Sequence, residues 1–288
     1  MGNLSDLSVI RNLLSSHGIT VSKALGQNFL INPSVCPRMA DASGCRGIGV
    51  LEIGPGVGVL TRELAAVAEK TVAVELDGRL LPVLSDTLKD CGNVKLIHGD
   101  IMKIDLQKLL SDEFEGMDVC VCANLPYYIT SPVIMSLLES RLPFKSITVM
   151  VQREAAERLC AAAGTRESGA VTVAVHYYAE PKLLFHVSRS SFMPAPNVDS
   201  CVIQLKIREQ PPFQLVNEKF FFSVVRAAFQ QRRKTLANSV SAVLNMQKSE
   251  LINALEKCGI PPASRAEQLS MLDFCNLSNM LFAAENGC

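Results

Sequence analysis

The sequence has no excess of either charge: 28 Lys and Arg balance 28 Asp and Glu. Proteins that bind polyanions usually carry a basic surplus. A zero balance counts against a uniformly basic nucleic-acid binder and directs attention to local charge. No apolar run approaches the ~20 residues that a membrane-spanning helix needs, so no membrane partner is expected. The four histidines, His17, His98, His176 and His186, lack ligand spacing, and the ten cysteines form no Cys-x-x-Cys pair. Neither a metal site nor a disulfide framework is expected. The cysteines lie mostly within apolar runs, as reduced core thiols do; Cys120 and Cys122 read as packing residues. The first residues lack a basic-then-apolar signal pattern. Leu4, Leu7, Ile10 and Leu14 instead recur at helical spacing, with Gly18 as a stop. The expectation is a cytoplasmic protein, without internal repeats or low-complexity tracts.

What is present is an alternation. Short buried runs at 50–53, 71–75, 94–98, 118–123 and 146–151 read as strands. Amphipathic stretches at 60–68, 80–90, 131–138 and 154–162 read as helices between them. Buried strands separated by helices imply an α/β fold with a mostly parallel, doubly wound sheet. Two further strands, 183–187 and 201–207, are expected as antiparallel partners joined through the Pro194/Pro196 loop. Pro211-Pro212 then reads as a linker. Beyond it only helical patterns remain, at 218–226, 233–244, 249–258 and 273–286. The expected domains are 1–209, with an N-terminal helical segment, and a small helical domain over 213–288.

Three acids or turns fall at successive strand ends. Gly54-Pro55-Gly56-Val57-Gly58 follows the first buried run, and such a turn lets backbone approach a ligand at a helix N-terminus. The dinucleotide fingerprint would need a further glycine where Val59 stands. With no catalytic His/Lys constellation either, this argues against a nicotinamide dehydrogenase. Glu75 ends the second strand, where a carboxylate can accept from both hydroxyls of a ribose. Asp100 follows the third strand after Gly99 and is placed to accept from an adenine amino group. Any one such acid often caps the next helix instead. Three in register at the ligand-binding edge of a sheet favour a nucleoside cofactor.

Asn124-Leu125-Pro126-Tyr127 closes the fourth strand. Adenine N6 is a poor nucleophile because its lone pair is delocalised into the ring. The Asn124 amide oxygen and the Leu125 carbonyl can accept both N6 hydrogens and favour a pyramidal nitrogen. Pro126 fixes the turn and leaves that carbonyl without a local backbone partner. Tyr127 offers a face on which an unstacked base can lie. The pattern points to methyl transfer onto an exocyclic amine.

With these residues in place, the chain resembles the KsgA-type dimethyladenosine transferases over nearly its whole length. The likeness runs through Ala24-Leu25-Gly26-Gln27-Asn28-Phe29-Leu30, Leu51-Glu52-Ile53-Gly54-Pro55-Gly56, Val74-Glu75-Leu76-Asp77, Gly99-Asp100 and Asn124-Leu125-Pro126-Tyr127-Tyr128. It continues in Gln152-Arg153-Glu154, Glu157-Arg158-Leu159, Phe192-Met193-Pro194-Ala195-Pro196-Asn197-Val198-Asp199-Ser200 and Gln231-Arg232-Arg233-Lys234-Thr235-Leu236, with Asn238-Ser239. The resemblance implies a class I methyltransferase, Rossmann-like, with a C-terminal helical domain. It implies S-adenosylmethionine as cofactor, held by Gln27, Asn28, Leu30, Gly54, Gly56, Glu75, Asp100 and Asn124. It implies that Phe192 stacks on the target base opposite Tyr127. The implied substrate is a pair of adjacent adenines near the 3′ end of 16S rRNA in the 30S subunit or its precursor, methylated by a monomer. Ala237 departs from the family pattern, where a basic residue and a phosphate contact are expected.

From Lys219 to Ser249 there is no acidic residue. Arg226, Arg232, Arg233 and Lys234 lie in this stretch and are the candidate RNA contacts. The competing reading is that Arg232 and Arg233 pin the domains together through Glu154 or Glu157. A 23S rRNA adenine methyltransferase and a non-catalytic ribosome-assembly factor share enough of these features to stand as alternatives.

Overall fold

Buried, β-branched runs place the strands where their apolar faces can be covered on both sides. The computed structural model describes residues 4–20 and 28–286. In chain order the strands are β1 (Phe29–Leu30), β2 (Gly49–Ile53), β3 (Lys70–Glu75), β4 (Val94–His98), β5 (Val119–Asn124), β6 (Phe144–Gln152), β7 (Ala179–Val187), β8 (Phe192–Met193) and β9 (Ser200–Ile207). Seven of them form one sheet in the order β4-β3-β2-β5-β6-β9-β7. The pairs β2–β3, β3–β4, β2–β5 and β5–β6 are parallel, and β6–β9 is antiparallel. Every residue of β2 is buried, as a strand covered on both faces requires. Because β2 has β3 on one side and β5 on the other, the chain reverses its winding at β2. Ligands bind outside the carboxyl ends of strands at such a point.

Helices Val59–Val67, Leu81–Thr87 and Thr130–Glu139 fall where the periodicity puts them, and the N-terminal helix is Leu7–Ser16. One core cluster joins Leu30, Met39, Leu64, Cys120, Cys122, Met150 and Phe192. A second joins Ile10, Leu14, Phe29, Val57, Leu80 and Leu84. The nine described cysteines are free thiols. Burial pushes the thiols of Cys36 and Cys122 well up, so both stay protonated packing groups. Among the described residues, no group of His, Cys, Asp and Glu has metal-holding geometry, and no helix is long and apolar enough to cross a membrane.

The chain divides into two units. One comprises the residues up to Ala156 with Glu180–Ile207; the other comprises Glu157–Ala179 with the residues from Arg208 onward. Sequence pattern keeps 157–179 with the sheet, inside 1–209. The structure groups it with the C-terminal helices, and aromatic packing gives the reason. Helix Ala170–Tyr178 presents Tyr177 and Tyr178 to Phe221 and Phe222 of helix Glu218–Gln230, with ring centroids 5.4–5.7 Å apart. Both tyrosine hydroxyls donate to the Glu218 carboxylate, at 3.2 and 3.0 Å. Helices Leu236–Leu244, Lys248–Lys257 and Met271–Asn286 complete this unit. Its core includes Phe221, Leu236, Val240, Leu251 and Phe274.

Candidate active site at the strand ends

Four adjacent strands end at one edge, and each delivers one motif there. Gly54 follows β2, Glu75 ends β3, Asp100 follows β4, and Asn124 ends β5. One cavity is lined by these residues together with Asn28, Leu30, Gly56, Leu125, Pro126 and Tyr127. Motifs up to ~100 residues apart in sequence converge because parallel strands all end on the same side.

Backbone geometry explains the glycines. Gly54 has φ 70°, which favours glycine, and an added Cβ there would meet no protein atom within 4 Å. As Gly54 lines the cavity, a side chain there would stand in the cavity itself. Gly58 serves packing instead: a Cβ there would lie 3.0 Å from Thr87 Oγ1 and 3.2 Å from Leu88 Cδ2.

Glu75 is buried, and its two oxygens accept from Gly56 N–H at 3.1 Å and Asp77 N–H at 2.8 Å. Burial raises its carboxyl above the usual range, and these two N–H groups oppose the rise. Glu75 therefore fixes the glycine turn while each oxygen keeps a second lone pair for a ligand. Asp100 also does double work. Its Oδ1 accepts from Met102 N–H at 3.0 Å, its Oδ2 is 3.7 Å from Lys103 Nζ, and it lines the cavity.

At the end of β5, Asn124 Nδ2 points to the Asn28 carbonyl at 3.5 Å. That contact uses the donor end of the amide and leaves Oδ1 as the acceptor. Pro126 takes the bonds of the turn: its carbonyl accepts from Ile129 N–H at 3.1 Å and Thr130 Oγ1 at 3.3 Å. The Leu125 carbonyl is outside that turn bonding. Tyr127 is partly buried, and its hydroxyl is 2.8 Å from Ser200 Oγ. Burial raises its phenol pKa, so the ring stays neutral. Ser200 is fully buried at the start of β9. In the sequence Ser200 is only the last residue of the loop motif that begins at Phe192. If this bond aims the ring, Tyr127→Phe and Ser200→Ala will each reduce methyl transfer, and the double variant will lose no more than the worse single one. Each loss corresponds to about 1 kcal/mol. Additive losses in a double-mutant cycle of single-turnover rates would show that the two groups act separately.

Glu52 is a lining residue that the motif reading did not assign. It is buried, and its Oε2 has no hydrogen-bond partner among the described residues, nor has Thr61 Oγ1. Burial pushes its carboxyl up to about 8, and the nearby Glu75 carboxylate adds to the rise. The available signal was one charged residue in an otherwise apolar strand. Its ordinary value is 4.5, so the fold keeps a proton that the unfolded chain releases between there and about 8. Stability therefore falls as pH rises through that window. Glu52→Gln is expected to flatten the dependence of melting temperature on pH there, measured without ligand. Parallel curves for the two proteins would contradict this account of Glu52.

Phe192 does not join Tyr127 at the cavity. It is 3% exposed and packs in the core cluster, where β8 pairs antiparallel with β1 in the register Leu30↔Phe192. The pairing clamps segment 28–30, which lines the cavity, to the loop that follows Phe192. A ring buried in that register supports the wall of the site. Gln27 lies outside the described residues.

In the second unit, Arg226, Arg232, Arg233 and Lys234 are all exposed. Arg232 has a use within the fold: its Nη2 donates to the carbonyls of Arg166 at 2.7 Å and Ser168 at 3.2 Å. Those acceptors are backbone groups, not the carboxylates of Glu154 or Glu157. Ala237 is 2% exposed. A basic side chain at that position would start from the helical core rather than from the surface.

Known proteins resemble this chain over most of its length. The family model described as ribosomal RNA adenine dimethylase matches residues 19–282. A ribosomal RNA small subunit methyltransferase A from Anoxybacillus flavithermus is 47% identical over 277 residues, 94% of each chain. Its counterpart from Shouchella clausii is 48% identical over 275 residues, covering 94% of this chain and 93% of the other. Among solved structures, a dimethyladenosine transferase from Plasmodium falciparum superposes with a TM-score of 0.75 at 28% identity, covering 90% of this chain and 98% of that one. The 23S rRNA methyltransferase ErmE shares the fold, with a TM-score of 0.68 at 24% identity over 88% of this chain and all of that one.

Proposed function

The chain belongs to the ribosomal RNA adenine dimethylase family, and from that premise we propose that it transfers methyl groups from S-adenosylmethionine to N6 of two adjacent adenines near the 3′ end of 16S rRNA. The observation that supports this most is the meeting of Asn124, Tyr127, Glu75, Asp100 and the glycine turn around one cavity. The cofactor fits on the residues present. Gly54 leaves room for it, Glu75 suits a ribose, Asp100 suits an adenine amino group, and the partnerless Glu52 oxygen suits its ammonium. Asn28 and Leu30 also line the cavity.

When bound, S-adenosylmethionine supplies an electrophilic methyl group. The chain does the rest by position. Asn124 Oδ1 and the Leu125 carbonyl accept the N6 hydrogens and hold the nitrogen pyramidal. Tyr127, steadied by Ser200, stacks an adenine taken out of its own stack. No strong general base is needed, because N6 becomes acidic after it gains a methyl group. The substrate in this reading is the 30S particle or its precursor in the cytoplasm, met by one copy of the enzyme. Transfer of labelled methyl to undermethylated 30S subunits, 50S subunits and DNA tests it. Label in 30S rRNA is expected; label confined to 50S or to DNA would overturn it.

Within the same proposal, the helical domain over 213–288 docks rRNA through Arg226, Arg233 and Lys234. Phosphate contacts release counterions, so binding should weaken steeply with salt. Removing these three charges should flatten the log–log salt slope by about 0.7–0.9 per lost contact, with cofactor affinity unchanged. Arg232→Ala should instead lower the melting temperature, because it holds two carbonyls. An unchanged slope for the triple variant would remove the docking assignment.

A further inference from the structure

Tyr127 and Tyr128 are adjacent and line the same cavity, yet their surroundings differ. Tyr127 is tied by its hydroxyl to the buried Ser200. Tyr128 is 57% exposed, and its hydroxyl makes no hydrogen bond among the described residues. The turn explains the contrast. Tyr127–Ile129 is a single 3₁₀ turn after Pro126, and successive side chains on such a turn point about 120° apart. One ring turns toward β9 and the other toward solvent at the rim. Leu76, 47% exposed, also lines the cavity and adds an apolar edge. The fold itself makes little use of the Tyr128 ring.

We propose that Tyr128 is the stacking platform for the nucleotide next to the target adenine, an unpaired purine. This rests on the reading of the cavity as a base-methylating site. A base drawn into the pocket leaves its neighbour without a stacking partner. That neighbour lies one nucleotide from the mouth, where Tyr128 stands exposed. Aromatic rings hold single-stranded bases by their faces with little sequence preference, and purines offer the larger face. For two adjacent adenines, whichever one occupies the pocket, the other is a purine neighbour. Strand direction sets which neighbour, 5′ or 3′, meets the ring, so Tyr128 holds the partner adenine in one of the two rounds and takes no part in the chemistry at N6.

The test uses the full chain with 30S particles lacking the modification. Tyr128→Ala should raise KM for the particle by about fivefold or more, the loss expected for one stacked base. Its kcat and its affinity for S-adenosylmethionine should stay within twofold of wild type. Tyr128→Phe and Tyr128→Trp keep a ring face and should keep the wild-type KM. Particles rebuilt with a pyrimidine beside a single target adenine should show a smaller penalty for Tyr128→Ala. The inference is overturned if KM is unchanged in the alanine variant, if the phenylalanine and tryptophan variants lose as much, or if the pyrimidine makes no difference. Inactivity of the wild-type protein on these particles would overturn the functional reading and this inference with it. An active wild-type protein with an unaffected alanine variant overturns the inference alone.

Discussion

Asn124→Ala should lower the single-turnover rate of methyl transfer by about two to three orders of magnitude while RNA and cofactor affinities change little. The size follows from removal of one preorganised polar group at the reacting centre, which typically costs 10²–10³-fold. The asymmetry follows from when the contact matters. Planar adenine N6 gains little from the Asn124 oxygen, whereas the pyramidal nitrogen at the transition state gains much, so the contact acts mainly on the rate. The structure supports the geometry: the amide's donor end faces the Asn28 carbonyl, and the turn bonds fall on the Pro126 carbonyl rather than on Leu125. Asn124→Asp is the stricter comparison, since it keeps an oxygen acceptor but loses the donor that orients it. Single-turnover transfer by Asn124→Ala within threefold of wild type would show that this side chain is not the N6 acceptor.

Glu75→Ala should weaken S-adenosylmethionine binding about tenfold to a hundredfold, as loss of a charge-assisted hydrogen bond of roughly 1.5–3 kcal/mol implies. It should also lower the melting temperature, because the N–H groups of Gly56 and Asp77 lose their acceptor. The two effects separate in Glu75→Gln. That variant keeps one carbonyl oxygen for one of the N–H groups and should lose less stability than alanine. Titration of a folded Glu75→Ala protein that gave unchanged cofactor affinity would remove Glu75 from the ribose site.

Much of the candidate site was legible in the sequence because its parts stand at strand ends, which are marked by a switch from apolar to polar or turn residues. Glu75, Asp100 and Asn124 each stand at such a switch. Asp100 does not cap the next helix, which Asp105 caps; it accepts from Met102 N–H in the turn after β4 while lining the cavity. What sequence missed has physical causes. Strands β1 and β8 are two residues long, too short to carry a period. The stretch Ala170–Tyr178 is rich in β-branched and aromatic residues, which favour strands, yet it is helical and mostly buried among the C-terminal helices. The family likeness implies a stacking role for Phe192, and its pairing with Leu30, which puts the ring in the core, is not marked in the sequence. Ala237 reads as a lost charge only while its burial is unknown. Ser200 is an ordinary serine in sequence and acquires a role through the seven-residue register of β6 against β9 that brings it near Tyr127.

The central claim is that the cavity at the ends of β2, β3, β4 and β5 methylates adenine N6 twice on each of two neighbouring nucleotides. The most direct measurement is mass spectrometry of nucleosides from undermethylated 30S subunits after reaction with the protein and S-adenosylmethionine, with the modified positions mapped by sequencing. The account predicts N6,N6-dimethyladenosine at two adjacent adenines near the 3′ end of 16S rRNA. Methyl groups on any other atom, or dimethyladenosine only in 23S rRNA, would contradict it.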